Sequence, residues 1–336
     1  MSPGLFFGRD NLVHKASFAF FRHLTALGII TLLAFSITPY IPLSVRLTDL
    51  PSHFVLQYAM AAVIGAVIVL LLKMPRVYLG MLGAAFALNM VTLAPYLPRG
   101  QTVITADLAT FKILQVNTLF LNRNTKPLET LIRAEVPDII TAVETNDAFA
   151  KMFKTLSDIY PYQDIYPRKD ARGLAVLSRF PLDEKAVGLY AEPATPAQSF
   201  TVTLHGQKIR FLSMHPYTPA GNLKKRDAHI FAVAEAYAAP QDTPLIITGD
   251  FNATPWSPVM KKFIGTTDLR HARRGFGLLP SWPVFLPASF LRIPIDHIFV
   301  DKRLTVLDYR LGSLIGSDHL PTIGTFSFAA TQHTDK

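Results

Sequence analysis

The chain has 336 residues, half of them hydrophobic and only 17% charged, with a formal net charge of +9 and no cysteine. That length fits one large domain with additional segments, and that apolarity excludes a soluble enzyme along the whole length. The charge allows an anionic substrate or membrane surface without singling out nucleic acid, and a disulfide framework is excluded.

The apolar excess lies at the N-terminus. Residues 20–43 are largely apolar and carry Pro39 and Pro42 near their end. Residues 54–72 read FVLQYAMAAVIGAVIVLLL and residues 77–97 read VYLGMLGAAFALNMVTLAPYL, both without a charge. Each is about twenty residues, the length needed to cross a bilayer. A buried soluble helix explains one such stretch, and a cleaved signal peptide explains only the first. Three together predict a membrane anchor over residues 1–100, with the bilayer as its partner. Arg9, Lys15 and Arg22 in the tail and Lys73 and Arg76 in the second connection outweigh the first connection, where Arg46 is offset by Asp49. The positive-inside bias then predicts a multi-pass inner- or plasma-membrane protein with a cytoplasmic N-terminus. The remainder is expected to be extracytoplasmic, periplasmic in a Gram-negative cell.

A linker is expected over 101–110 and a tail over 329–336. Between them, over 111–328, short apolar runs are broken by Gly, Pro, Asn and Asp. Strands are predicted at 111–116, 138–143, 173–178, 200–204, 208–214, 244–248, 297–301 and 321–327. Helices are predicted at 125–135, 147–156, 222–238 and 256–263. Strands and helices mix without strict alternation, so an α+β sandwich fits better than a doubly wound sheet. Lys224-Lys225-Arg226 and Arg270, Arg273 and Arg274 read as solvated surface charge, except that Arg226 on the long helix either supports the site or is solvated. In the apolar stretch 275–294, Trp282, Phe285 and Phe290 either pack over the core or face substrate or lipid.

Polar residues gather at the ends of these runs. FKILQV runs into Asn117, DIITAV into Glu144, and IRFLSM into His215. PLIIT leads to Asp250 and Asn252, Asp296 opens HIFV, and Asp318-His319 precedes LPTIGTF. Singly, each reads as a turn, cap or surface residue. Together they match one chemistry. Acidic side chains beside histidines suit metal-assisted cleavage of a phosphate ester, in which a cation offsets phosphate charge and an imidazole acts on the transition state.

Residues 111–328 resemble the endonuclease/exonuclease/phosphatase superfamily. The matching motifs are Gln115-Val116-Asn117, Val143-Glu144, Gly173-Leu174-Ala175-Val176-Leu177-Ser178-Arg179, Met214-His215, Gly249-Asp250-Phe251-Asn252, Ile295-Asp296-His297 and Ser317-Asp318-His319. The resemblance implies a four-layer α/β/β/α sandwich, here preceded by three transmembrane helices, and a metal-dependent hydrolase acting on phosphate ester bonds. It implies Mg²⁺, with Mn²⁺ as a substitute, held by Glu144, Asn117 and Asp318. It makes Asp250 the residue that orients or deprotonates water, and Asn252 and His215 contacts to the phosphate. His319 would act on the phosphoryl group while held by Asp296. Tyr217 either reaches the phosphate or packs. Leu119 stands where some nucleases of the superfamily carry a second acidic residue, which favours one metal over two. The substrate is left open among nucleic acid, phospholipid or sphingolipid headgroup and soluble phosphate ester, and no protein partner is implied. The alternative is a catalytically silent binding or scaffold domain of the same fold on the same anchor.

Overall fold

A computed structural model describes residues 7–99, 109–191, 195–286 and 288–328, with side chains from Ser17 onward. Most of the expected linker and all of the expected tail lie outside the described residues. The chain divides into two compact units: Met1–Leu43 with Leu47–Ala94, and Ser44–Arg46 with Pro95–Lys336.

The first unit is helical: α1 (Phe7–Ile37), α2 (Arg46–Ser52), α3 (Val55–Leu71) and α4 (Val77–Leu93). Two segments, Ser17–Tyr40 and Val77–Tyr96, are long and apolar enough to cross a membrane. The third expected span is the 17-residue α3, which reaches that length only together with α2, from which it is bent by 75°. The sequence therefore led to three spans where two helices qualify on their own. The break falls after Ser52, where His53 N–H turns to Leu50 O at 3.4 Å and Phe54 N–H to Pro51 O at 3.2 Å in place of the helical ladder. Small residues let the helices approach: a Cβ at Gly65 would meet Leu82 at 3.0 Å. Asn89 Nδ2 donates to Ser36 Oγ at 2.8 Å and so ties α4 to α1. Leu27, Val67, Leu71 and Val91 are exposed on the outside.

The second unit holds two six-stranded sheets. Its strands are β1 (Thr110–Asn117), β2 (Ile139–Val143), β3 (Tyr162–Tyr166), β4 (Leu174–Ser178), β5 (Asp183–Tyr190), β6 (Thr195–Leu204), β7 (Gln207–Met214), β8 (Leu245–Asp250), β9 (Arg270–His271), β10 (Asp296–Val300), β11 (Leu304–Leu311) and β12 (Thr322–Phe328). One sheet runs β11-β12-β1-β2-β4-β3 and the other β5-β6-β7-β8-β10-β9. Phe111, Ile113, Ile139, Phe211, Ile246, Ile298 and Phe326 fill the space between them. Leu114, Val116, Ile140 and Ala142 point the other way, with Leu128 and Ile132 of α5 (Lys126–Glu135) and Phe149 and Phe153 of α6 (Asp147–Lys154). On the opposite side Leu212, Met214, Ile247 and Phe299 meet Ile230 and Val233 of α7 (Pro219–Ala236) and Val259 and Phe263 of α8 (Pro258–Thr267). These are the four layers expected.

Side chains alternate across a strand, so residues two apart share a face. Along β1 the inner face reads Phe111, Ile113, Gln115, Asn117, and along β8 it reads Ile246, Thr248, Asp250. Along β7 and just beyond, it reads Ile209, Phe211, Ser213, His215. β10 runs antiparallel to β8 and reads the same gradient backwards, from Val300 and Ile298 to Asp296. The interior thus turns from apolar to polar towards one end. There the strands are in register: Asn117 opposite Val143, Met214 opposite Gly249, Asp296 opposite Asp250. Thr248 donates to Thr141 across the two sheets at 2.9 Å, where the apolar core gives way.

Candidate active site

The polar end of the sandwich collects the residues that the sequence singled out. Asn117 ends β1, and its Nδ2 lies 3.0 Å from both Glu144 Oε1 and Asp250 Oδ2. It thus bridges two carboxylates from different sheets. Its Oδ1 accepts from Leu119 N–H at 2.9 Å and keeps a second lone pair. Glu144 follows β2 with φ at +57°, a left-handed conformation uncommon for a residue with a side chain. Phe120 N–H donates to its Oε2 at 3.0 Å.

Close backbone approach explains the glycines of two motifs. A Cβ at Gly249 would sit 1.9 Å from Met214 O, and one at Gly173 would sit 1.8 Å from Thr145 O. The first lets β8 lie against β7, so that Asp250 comes beside His215. The second lets the loop before β4 reach the residue after Glu144. That loop orients His215, whose Nδ1–H donates to Ala171 O at 2.7 Å. His215 Nε2 then faces Asn252 Nδ2 at 3.2 Å, Asp250 Oδ2 at 3.5 Å and Glu144 Oε1 at 3.6 Å.

On the other side His319 Nδ1–H donates to Asp296 Oδ2 at 2.8 Å. Its Nε2 lies 3.6 Å from Asp250 Oδ2 and 3.9 Å from Asp318 Oδ1. Donor atoms of Glu144, His215 and Asp250 all fall within 4.8 Å of one another, as do those of Asp250, Asp296 and His319. Asp250 belongs to both groups. Asp318 stands at their edge, reached through His319.

Electrostatics follow from this crowding. Burial alone would lower both histidines, but the carboxylates outweigh it. His215 is pushed up to about 9 by its hydrogen bond to Asp250 and by the charges of Asp250 and Glu144. His319 is pushed up to about 10 by Asp296 and Asp250. Burial works to raise Asp250, yet His319 and His215 hold it below the usual carboxylate range.

The donor set fits a divalent cation of the hard kind. Glu144, Asp250 and Asp318 offer carboxylate oxygens. Among the described residues, none donates a hydrogen bond to the buried Asp318 Oδ1, which suits that oxygen to a cation. Its other oxygen accepts from Trp282 Nε1 at 3.1 Å. Half-buried Trp282 thus holds a carboxylate, with its ring 6.3 Å from that of His319. Phe285 and Phe290 of the same stretch remain exposed. Trp282→Phe keeps the ring and deletes the donor, so the Mg²⁺ concentration for half-maximal binding should rise about tenfold, the scale for outer-shell partners of a ligand. Titration calorimetry with Mg²⁺ tests this, and an unchanged isotherm would remove Trp282 from the site.

Several supports were not legible as such. Arg226 is fully buried, donates to Asp227 and to the Asn252 carbonyl at 3.3 Å, and is no surface charge. Arg273 is also fully buried: Nη2 donates to Asp296 O at 2.6 Å and Nη1 to Leu278 O at 2.7 Å. Tyr217 does not reach into the cluster through a hydrogen bond. Its ring carries Arg172 at 4.5 Å and Lys225 at 5.3 Å, so it presents two cations beside His215. Behind Asp296, His297 Nε2–H donates to Ala253 O at 2.8 Å, which leaves Nδ1 to accept from His271 Nε2–H at 2.8 Å. Burial first, then nearby positive charge, keeps both rings neutral, His297 at about 3.

Residues 114–319 match the profile of the Endonuclease/Exonuclease/phosphatase family. No curated protein matches the chain. Among solved structures, the human Nocturnin catalytic domain with bound sulfate anion is 22% identical, with a TM-score of 0.52 over 66% of this chain and 96% of that one. An endonuclease/exonuclease/phosphatase from Beutenbergia cavernae is 18% identical, with a TM-score of 0.56 over 66% of this chain and 72% of that one. D. rerio TDP2 complexed with single strand DNA product is 17% identical, with a TM-score of 0.56 over 65% of this chain and 99% of that one. These likenesses concern the fold.

Proposed function

The chain belongs to the endonuclease/exonuclease/phosphatase family and is a metal-dependent hydrolase of phosphate esters, and we propose that it acts as a membrane-anchored, Mg²⁺-dependent enzyme centred on Asp250. Convergence of Glu144 and His215 on one side of Asp250, and of His319 with Asp296 on the other, carries this reading. Glu144 and Asp318 would hold the cation, with Asn117 fixing Glu144 against Asp250. A bound divalent ion would offset phosphate charge and act as a Lewis acid at the phosphoryl oxygen.

The chain's own groups do the rest. Asp250, kept ionised, accepts a proton from the attacking water and aims it for in-line displacement. Asn252 and the charged His215 donate to non-bridging phosphoryl oxygens. His319, held by Asp296 through Nδ1, turns Nε2–H to the phosphate on the far side of Asp250 and stabilises the charge that builds up there. The product is a phosphomonoester or inorganic phosphate, according to the ester cleaved. Arg172 and Lys225 on Tyr217 favour an anionic substrate at the rim. Against a silent binding domain, the sequence retains Glu144, Asp250, Asn252, Asp296, Asp318 and His319, where a decayed copy usually loses a metal ligand or the histidine.

The superfamily fold serves many substrates, so fold does not choose among nucleic acid, lipid headgroup and soluble ester. A bound sulfate in one neighbour and a DNA product in another both fit a site for phosphate oxygens. Hydrolysis of a panel of DNA, RNA, phospholipid, sphingomyelin and small phosphate esters by the full chain in detergent tests the function, and no turnover on any of them would favour the silent domain.

Anchoring rests on the two long apolar helices with the bent pair α2 and α3 as a third crossing, and orientation on a cytoplasmic N-terminus and the basic residues Lys73 and Arg76 against the first connection. The catalytic unit then faces away from the cytoplasm. A reporter that works only in the cytoplasm, fused after Lys336, should stay silent; a strong signal would overturn the orientation.

A further inference from the structure

Arg270 and Arg274 read from sequence as solvated charge, and with Arg99 they do something more specific. The three line one pocket of ≈ 440 Å³, whose wall includes the buried His271. That volume lies within the range of small-molecule sites. The segment bearing Arg99 is fixed to the opposite wall by three backbone bonds: Arg99 N to Gly275 O at 2.8 Å, Gly275 N to Pro95 O at 3.1 Å and Gly277 N to Tyr96 O at 2.8 Å. The positive charges are therefore placed on a defined frame.

Among the described residues, no carboxylate lines the pocket. Among the described residues, none of the three arginines forms an ion pair, and the acidic residues flanking the lining segments 270–276 and 305–307 are engaged elsewhere. Asp268 pairs with Lys302 at 2.6 Å, Asp301 with Arg303 at 2.7 Å and Asp308 with Arg310 at 3.3 Å. Arg270 uses one guanidinium nitrogen on Leu304 O, and the rest of its fork stays available. Three like charges around one cavity repel unless an anion sits among them. Guanidinium forks match phosphate oxygens in geometry as well as charge.

Arg99 follows Tyr96, the end of a segment long and apolar enough to cross a membrane, by three residues. At roughly 3.3–3.6 Å per residue, the chain cannot carry it more than about 11 Å from that end. Arginines at a membrane surface attract anionic lipid.

We infer that this pocket binds the phosphate of an anionic phospholipid headgroup, separately from the phosphoester centre. The lipid source rests on the anchoring reading above; the phosphate chemistry does not. A headgroup held there fixes one face of the catalytic unit to the bilayer.

Retention of phosphatidylglycerol against phosphatidylcholine by the full chain in detergent, with EDTA present, tests this by native mass spectrometry. Wild type should retain phosphatidylglycerol preferentially, and soluble glycerol 3-phosphate should compete. Arg99→Gln with Arg274→Gln should weaken that retention about tenfold or more, as expected when charge-assisted bonds to phosphate are lost. Arg99→Lys with Arg274→Lys keeps the charges and should hold the preference for phosphatidylglycerol, which guards against loss of folding in the first pair. Glu144→Gln should retain the lipid like wild type, so failure of the hydrolase reading leaves this result readable. Equal retention of the two lipids by wild type, or undiminished retention by the Gln pair, would overturn the inference. Binding of glycerol 3-phosphate without preference for phosphatidylglycerol would overturn the lipid source and make the pocket one for soluble phosphate esters. A chain that stays in solution without detergent would fail the anchoring reading alone, and the wild-type and Gln-pair comparison with glycerol 3-phosphate would still decide the pocket.

Discussion

Asp250→Asn should lower turnover by roughly 10²–10⁴, the scale for a positioned acid–base group, while the fold survives. Asp250 is the meeting point of both side-chain groups, within 3.6 Å of His215, His319 and Asn117. Asparagine keeps the shape and can still accept from Asn252 N–H, which lies 2.8 Å from Asp250 Oδ1. It removes the charge that draws a proton from water and that keeps two buried imidazoles protonated. His319→Ala should cost a similar factor, because it deletes the Nε2–H donor. The double variant should lose far less than the product of the two, since residues acting as one unit are not additive. Near-wild-type turnover in a folded Asp250→Asn enzyme would exclude Asp250 from the chemistry.

Glu144→Gln should raise the Mg²⁺ concentration for half-maximal activity by about 10²-fold or more, beyond the scale for outer-shell partners because a ligand charge itself is lost. The substitution is nearly isosteric, and a Gln oxygen still accepts from Phe120 N–H or Asn117 Nδ2. The strained backbone at φ +57° carries the same side-chain shape, so stability should change little. Activity against Mg²⁺ concentration, read beside a thermal melt, separates metal loss from unfolding. An unchanged Mg²⁺ requirement would place the cation elsewhere.

What the sequence reveals of this fold depends on where a strand sits in its sheet. β1, β2, β4, β7, β8, β10 and β12 all lie inside their sheets and are buried on both faces, so they appear as short apolar runs. The strands missed, β3, β5, β9 and β11, are the four edges. Edge strands are protected by polar residues that erase the pattern: β5 opens Asp183-Glu184-Lys185 and β3 carries Gln163 and Asp164. Only the second half of β6 was seen, because Pro196 and Gln198 interrupt its start.

The candidate site was legible for a related reason. Its residues close apolar strands, and a polar group at the end of a buried run stands out. Arg273 looked like surface charge because it lies beside other cations, and Arg226 was open between support and solvation; only the folded chain buries both. Trp282 looked like a membrane or core residue because an indole N–H gives no sign in sequence of the acceptor it will find. The third span does not qualify on its own because the chain bends by 75° between α2 and α3, which leaves α3 only 17 residues long.

Hydrolysis of the phosphate-ester panel by the full chain in detergent, first with Mg²⁺ and then with excess EDTA, bears most directly on the metal-dependent centre around Asp250. Activity should vanish in EDTA and return when Mg²⁺ or Mn²⁺ is added in excess. Hydrolysis that continues undiminished in EDTA would contradict a reaction built on Glu144, Asp250 and Asp318 around a divalent cation.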